Sequence, residues 1–290
     1  MTQLSLSPGK LLIGGEWVDA GSGKTFSTVN PATEESICDL ARGGAPDVDR
    51  AVLAARAALE GPWSKLTAQE RGRLLFRLAE KIREKADDVA ALETADIGKP
   101  ISEAKHVDVP FAADVFEYFA GWSTKHHGEV VPVRGANLNY TLREPVGVVA
   151  AIVPWNFPLL MASWKVAAAL AVGNTVILKP SSNAPLTALK LGELALEVGF
   201  PPGVFNVLTG PGPEVGDALV RHPGVDKVTF TGEVETGKAL MRLAADDLKS
   251  LTLELGGKSP NIVFADADLE GAVRGVLGGI FYNKGEVCAA

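Results

Sequence analysis

From Val146 onward the sequence alternates short apolar runs with helical patterns, and this alternation restricts the possible fold more than any other feature. The runs are VGVVAAIV at residues 146–153, TVILK at 175–179, VFNVLT at 204–209, DKVTFT at 226–231 and SLTLEL at 250–255. Helical spacing fills the intervals, at residues 159–172, 185–198, 214–221 and 236–245. Continuous apolar strands separated by helices are buried on both faces, so they predict a doubly wound parallel sheet of the Rossmann-like α/β class. Ligands of such sheets bind beyond the carboxyl ends of the strands. Here those ends carry PWNFP, KPSS, TGPG, FTGE and ELGG.

The preceding part of the chain reads differently. LLIGGEWVD at residues 11–19 predicts a hairpin turning at Gly14 and Gly15, and VNPATEE from Val29 a loop leading into another strand. A helix is expected over residues 47–59. TAQE at Thr67 to Glu70 is a capping box opening a long amphipathic helix that breaks and resumes before Gly98. A further helix from Ser102 to about Lys125 carries Phe111, Val115, Phe116 and Phe119 on one side, a stripe expected to face the core. Residues 129–143 (VVPV, then Gly-Ala-Asn, then LNYTLR) predict a strand, turn and strand ribbon reaching to a partner subunit. Beyond the last apolar run, NIVF at 261–264 alternates as a strand does, and residues 269–282 have helical spacing.

With 47% hydrophobic residues the chain has the composition of a globular protein. Its net charge of −7 argues against a general nucleic-acid binder. The two cysteines, Cys38 and Cys288, lack CxxC spacing, and the four histidines form no metal-binding motif, which favours a reducing compartment and no metal site. Residues 1–10 carry neither a signal-peptide core nor a transit-peptide pattern, and the longest apolar runs are too short to span a bilayer. These features predict a cytoplasmic protein without membrane or nucleic-acid partners.

Chemistry concentrates at the ends of the predicted strands. Glu254 in ELGGK and Cys288 in NKGEVC are separated by a strand-like and a helix-like stretch that can return them to one point. A thiolate is a nucleophile, and a nearby carboxylate can act as base for a second step. Taken alone, such a cysteine is more often a small buried hydrophobe and such a glutamate a surface charge. Asn156, between two prolines and two aromatics in PWNFP, has the fixed neutral donor that an oxyanion hole needs, although by itself such an Asn is more commonly a satisfied loop residue. GEVETGK at residues 232–238 matches GxxxxGK, but Ala239 stands where a P-loop needs Ser or Thr for magnesium. Its glycines suit a strand-to-helix turn that can hold a diphosphate.

PWNFP, KPS, FTGxxxxG, ELGGK and the terminal NxGxxC, in this order and spacing, resemble the NAD(P)-dependent aldehyde dehydrogenase superfamily over nearly the whole chain. The resemblance implies that Cys288 attacks an aldehyde, that Asn156 and the Cys288 amide hold the oxyanion, that hydride passes to the nicotinamide, and that Glu254 activates the hydrolytic water. Lys165 matches a lysine assisting proton movement. The implied cofactor contacts are Trp155, Lys179, Ser182, Gly212, Gly216, Thr231, Gly232, Glu233, Gly237 and Leu255. The cofactor is NAD or NADP: Ser182 replaces a Glu common in NAD-preferring members, which removes a repulsion against a 2′-phosphate. Glu233 replaces a small residue at the diphosphate turn, and Glu286 replaces a Gln near the nucleophile, where its charge would raise the thiol pKa if it faced the sulfur. Tunnel positions Phe157, Met161, Trp164, Val287 and Ala289 are apolar and imply an apolar aldehyde. The implied organisation is a cofactor-binding domain over residues 1–125 and 145–253, a bridging β-ribbon over 126–144, and the start of a second α/β catalytic domain over 254–290. Relatives continue well beyond the nucleophile, so the expectation is an N-terminal portion of an enzyme that assembles as a homodimer or homotetramer.

Overall fold

The computed structural model describes residues 4–290. The expectation that residues 1–10 lack a targeting signal therefore falls partly outside the described residues. The chain opens with the hairpin β1 (Leu11–Ile13) and β2 (Glu16–Val18), turned by Gly14 and Gly15 at φ 62° and 84°. Both angles lie in the left-handed region, where glycine has no steric penalty. A separate two-stranded antiparallel sheet follows, from β3 (Thr25–Val29) and β4 (Ser36–Ala41). Helices α1 (Ala45–Glu60), α2 (Ala68–Glu84) and α3 (Ala86–Ile97) come next. The capping box forms at the start of α2, with Glu70 N–H donating to Thr67 Oγ1 at 3.2 Å and Thr67 N–H to Glu70 Oε2 at 2.8 Å. Gly98, at φ 71°, ends α3.

The helix expected from Ser102 is three segments: α4 (Ile101–Glu103), a π-helical turn over Ala104–Asp108, and α5 (Val109–Trp122). Phe116 and Val115 are buried as the stripe requires, but Phe111 is exposed and meets Trp164 edge to face, with ring centroids 6.0 Å apart. All four stripe residues lie in α5, after the π turn; Phe111 stands near the start of that helix, where its neighbour is the exposed Trp164 and not a buried side chain. The ribbon at 129–143 reduces to an isolated antiparallel bridge, Val130 with Tyr140, and is exposed throughout.

The second half follows the alternation in the sequence: β5 (Val148–Ile152), α6 (Pro158–Ala171), β6 (Thr175–Lys179), α7 (Leu186–Glu197), β7 (Phe205–Val207), α8 (Asp217–Arg221), β8 (Lys227–Gly232), α9 (Val234–Ala244) and β9 (Ser250–Leu255). The helix expected from residue 214 starts as a π turn, Gly212–Gly216. One seven-stranded sheet has the order β2-β1-β7-β6-β5-β8-β9. From β7 to β9 all pairings are parallel, and the direction of winding reverses at β5. The sheet is mixed, not wholly parallel, because β1 pairs antiparallel with β7. Alternate residues of β5 face two cores. Val149 and Ala151 pack with the α2, α5, α6 and α7 layer, while Val148, Ala150 and Ile152 pack with α1, α8 and α9. Past β9 the expected strand at Asn261 to Phe264 is absent, since no neighbouring strand supplies hydrogen-bond partners, and Ile262 and Phe264 are exposed. Helix α10 (Leu269–Phe281) forms with no buried residue.

Charged groups lie inside the α3 to α5 layer. Glu93 is fully buried without a hydrogen bond, and Lys99 Nζ stands 3.9 Å away. Burial pushes the Glu93 pKa up to about 7, with Lys99 opposing the rise. Asp96, which accepts from Thr28 Oγ1 at 3.0 Å and from Leu186 N–H at 2.8 Å, is also raised by burial to about 7. Because folding raises these values, stability is greatest below the unfolded carboxylate range and declines as pH rises through about 7. Glu93→Gln should lessen that decline by roughly 1–3 kcal/mol between about pH 5 and pH 8, measured by urea unfolding.

Candidate active site

The winding reversal places the loop after β5 beside the ends of β8 and β9, and a cleft of about 950 Å³ opens there. Asn156, Lys165, Glu254 and Cys288 all line it. Lys165 comes from α6, whose start is set by Pro158 at its first position. Glu254 comes from the exposed face of β9. Cys288 follows the last helical turn, and its carbonyl lies 3.9 Å from where a Cβ on Gly257 would stand. The sulfur-bearing residue is exposed, as its small neighbours imply.

Asn156 is tied down by a residue that sequence reasoning passed over. Its Nδ2 donates to the Glu286 carbonyl at 2.8 Å, and its own carbonyl accepts from Asn283 Nδ2 at 2.7 Å. One amide hydrogen of Asn156 is used and the other is free for an incoming oxyanion. The available signal was the NKG triplet, since asparagine before a glycine commonly marks a left-handed turn. Glu286 pairs with Lys284 at 2.5 Å and lines a different cleft, so its charge does not stand over the sulfur.

Lys165 Nζ donates to Thr229 Oγ1 at 3.0 Å. Burial lowers its pKa to about 8, with the Glu254 charge pulling it upward. Thr231 is buried with its hydroxyl unpartnered in the cleft wall, beside Gly232, Glu233 and Leu255. Trp155 borders both this cleft and a second of about 450 Å³, which holds Ser182. Ser182 Oγ donates to the Gly210 carbonyl at 2.8 Å.

Four implied cofactor residues lie outside both clefts: Lys179, Gly212, Gly216 and Gly237. Lys179 is buried; its Nζ donates to the Pro180 carbonyl at 2.9 Å, and burial lowers its pKa to about 8. Gly212 is exposed in the π turn that also holds Gly216. The Gly237 N–H donates within the helix to the Glu233 carbonyl at 3.0 Å, and a Cβ there would stand 2.7 Å from Leu255 Cδ2. Close helix-to-strand packing is its role. Among the tunnel positions, Met161, Trp164 and Ala289 line the large cleft, whereas Phe157 and Val287 are packed into the core cluster.

The sequence model described as "Aldehyde dehydrogenase family" matches residues 17–290. The chain belongs to the aldehyde dehydrogenase family. The mitochondrial aldehyde dehydrogenase family 2 member B4 of Arabidopsis thaliana is 49% identical over 289 residues, 99% of this chain and 54% of the relative. Retinal dehydrogenase 2 of Homo sapiens is 47% identical over 284 residues, 97% of this chain and 55% of the relative. Among solved structures, the NAD+ complex of the aldehyde dehydrogenase from Bacillus cereus superposes with a TM-score of 0.96 at 48% identity, covering 100% of this chain and 61% of that one. The chain thus spans about half the length of the curated relatives it matches. Family membership and the shared fold account for the Rossmann-like sheet and for the motifs at its carboxyl edge.

The Lys165 environment is testable without substrate. A lysine Nζ NMR titration should find Lys165 at about 8, and Glu254→Gln, which removes the charge that raises it, should shift it lower. Lys179, depressed by burial alone, should stay at about 8 in the same variant.

Proposed function

We propose that this chain binds NAD or NADP at the winding reversal and uses Cys288 to oxidise an apolar aldehyde to the acid. The observation that carries the reading is the meeting of Cys288, Asn156, Glu254 and Lys165 in one cleft. A dinucleotide fits the chain's own groups there. Thr231 and Gly232 line the cleft, and Trp155 bridges it to the Ser182 cleft. When bound, the oxidised nicotinamide supplies a hydride acceptor. Cys288 gives up its proton and adds to the carbonyl carbon, and the free hydrogen of the Asn156 amide holds the oxyanion that forms. Once hydride has left the carbon a thioester remains on the sulfur. Glu254 takes a proton from water, whose oxygen displaces the sulfur and releases the acid. Lys165, with a pKa near 8, can carry protons at neutral pH.

The 2′-hydroxyl side of the cofactor is the place for Ser182, and the absence of a carboxylate there supports acceptance of NADP. In this reading residues 1–125 and 145–253 hold the cofactor and residues 254–290 begin the catalytic part. The exposed ribbon, with Val130, Leu138 and Leu142 at 74%, 77% and 69% exposure, is assigned to contact with a second copy of the chain. A second reading, dinucleotide binding without turnover, is supported by the exposure of Cys288 and Glu254, which leaves the reacting centre open to water.

Absorbance of reduced nicotinamide with a panel of apolar aldehydes separates the two. The first reading predicts reduction by the unmodified chain, none by Cys288→Ala, and a loss of roughly 10²- to 10³-fold in Asn156→Ala. Ser182→Glu should weaken NADP more than NAD. Dinucleotide binding in a titration, with no reduction by any form, would establish the second reading instead.

A further inference from the structure

The loop that carries Cys288 has an unusual backbone. Asn283, Lys284 and Gly285 are consecutive residues in the left-handed region, at φ 49°, 61° and 82°. For the two non-glycine residues this conformation is costly, and it persists only where the surroundings over-determine it. Those surroundings come from the helices beneath. Asn283 is fully buried, and its N–H donates to Glu103 Oε2 at 3.0 Å. Tyr282 Oη donates to Asp108 Oδ1 at 3.1 Å. The other Asp108 oxygen accepts from Lys99, and both of those side chains are fully buried. Lys99 also stands 4.1 Å from the ring centroid of Phe157, the residue after Asn156. Lys284 Nζ donates to the Ile97 carbonyl at 2.6 Å. Asn283 Nδ2 then links the turn to Asn156. Glu103 ends α4 and Asp108 ends the π turn, an element that recurs at functional sites.

We propose that Glu103 and Asp108 are positioning residues for the nucleophile: Asp108, fixed by Lys99, holds Tyr282, Glu103 holds the Asn283 amide, and together they impose the left-handed turn that sets Cys288 and Asn156 in one cleft. The proposal rests on the reading of Cys288 as nucleophile. It explains why a paired charge is buried in this layer, where an apolar pair would pack as well. Tyr282→Phe removes the hydroxyl and keeps the ring that packs on Phe157 at 6.0 Å. Glu103→Ala removes the acceptor for the Asn283 amide, and Glu103→Gln keeps one.

Hydrogen exchange followed by mass spectrometry tests the device directly. In Tyr282→Phe and Glu103→Ala, amides of residues 283–288 should exchange roughly fivefold faster, the effect of losing one buried hydrogen bond, while core peptides from β5 and β6 are unchanged. Glu103→Gln should restore slow exchange. With aldehyde and dinucleotide present, kcat should fall in the first two variants at an unchanged KM for the dinucleotide. Unaltered loop exchange would overturn the proposal, and so would acceleration spread over the whole chain, which would mean that these groups serve stability alone. Absence of turnover in the unmodified chain would sink the nucleophile reading while the exchange rates still decide whether Glu103 and Asp108 set the turn.

Discussion

β5 and β6 are apolar on both faces, so they are stable only with helices covering each side, and this requirement leaves the two ends of the sheet for chemistry. The winding reversal then decides which part of the carboxyl edge is open. Where the chain turns from β7 back to β8, the loops after β5 and β8 diverge, and the cleft that holds Cys288 starts between them and runs along the α6 side of the sheet as far as Val146, Asn174 and Lys227. Thr231 and Glu254 line that cleft from the next-to-last positions of β8 and β9, and Asn156 lines it from the loop after β5. Lys165 reaches it from helix α6, and Cys288 is the exception that reaches it from a loop past α10.

That exception explains the buried polar layer. A strand-end residue inherits its position from the ladder, but a loop residue needs its own anchors. The anchors here run from Lys99 and Asp108 through Tyr282 and Asn283 to Asn156, linking the helical layer to both the thiol loop and the amide that faces it. Burial tunes the neighbouring titratable groups at the same time. Glu93 rises to about 7 and Lys165 falls to about 8 because the loss of water outweighs the opposite charge near each, Lys99 for Glu93 and Glu254 for Lys165.

Local signals in the sequence proved sufficient wherever the determinant was local. β6 and β9 occupy the bounds of their apolar runs, the Thr67 to Glu70 capping box starts α2, and Gly14 and Gly15 turn the first hairpin. Tertiary determinants were invisible. Nothing in LLI specifies antiparallel docking on β7, and the alternation in NIVF has no partner strand to realise it. The aromatic stripe failed at Phe111, whose partner across the helices is the exposed Trp164 and not the core. Within the site, the motifs located Cys288, Glu254, Asn156 and Lys165 in one cleft, whereas Gly237, a motif glycine, is a packing residue under Leu255. Asn283 was missed because its importance lies in what it bonds to, 127 residues away.

The central claim is that the Cys288 sulfur takes up the acyl group and Glu254 removes it. Intact-mass and peptide mass spectrometry of Glu254→Gln, incubated with an apolar aldehyde and oxidised dinucleotide, tests this most directly. The account predicts an acyl adduct that accumulates on Cys288 and requires both reagents. An unmodified Cys288, or an adduct that forms equally without dinucleotide, would contradict it.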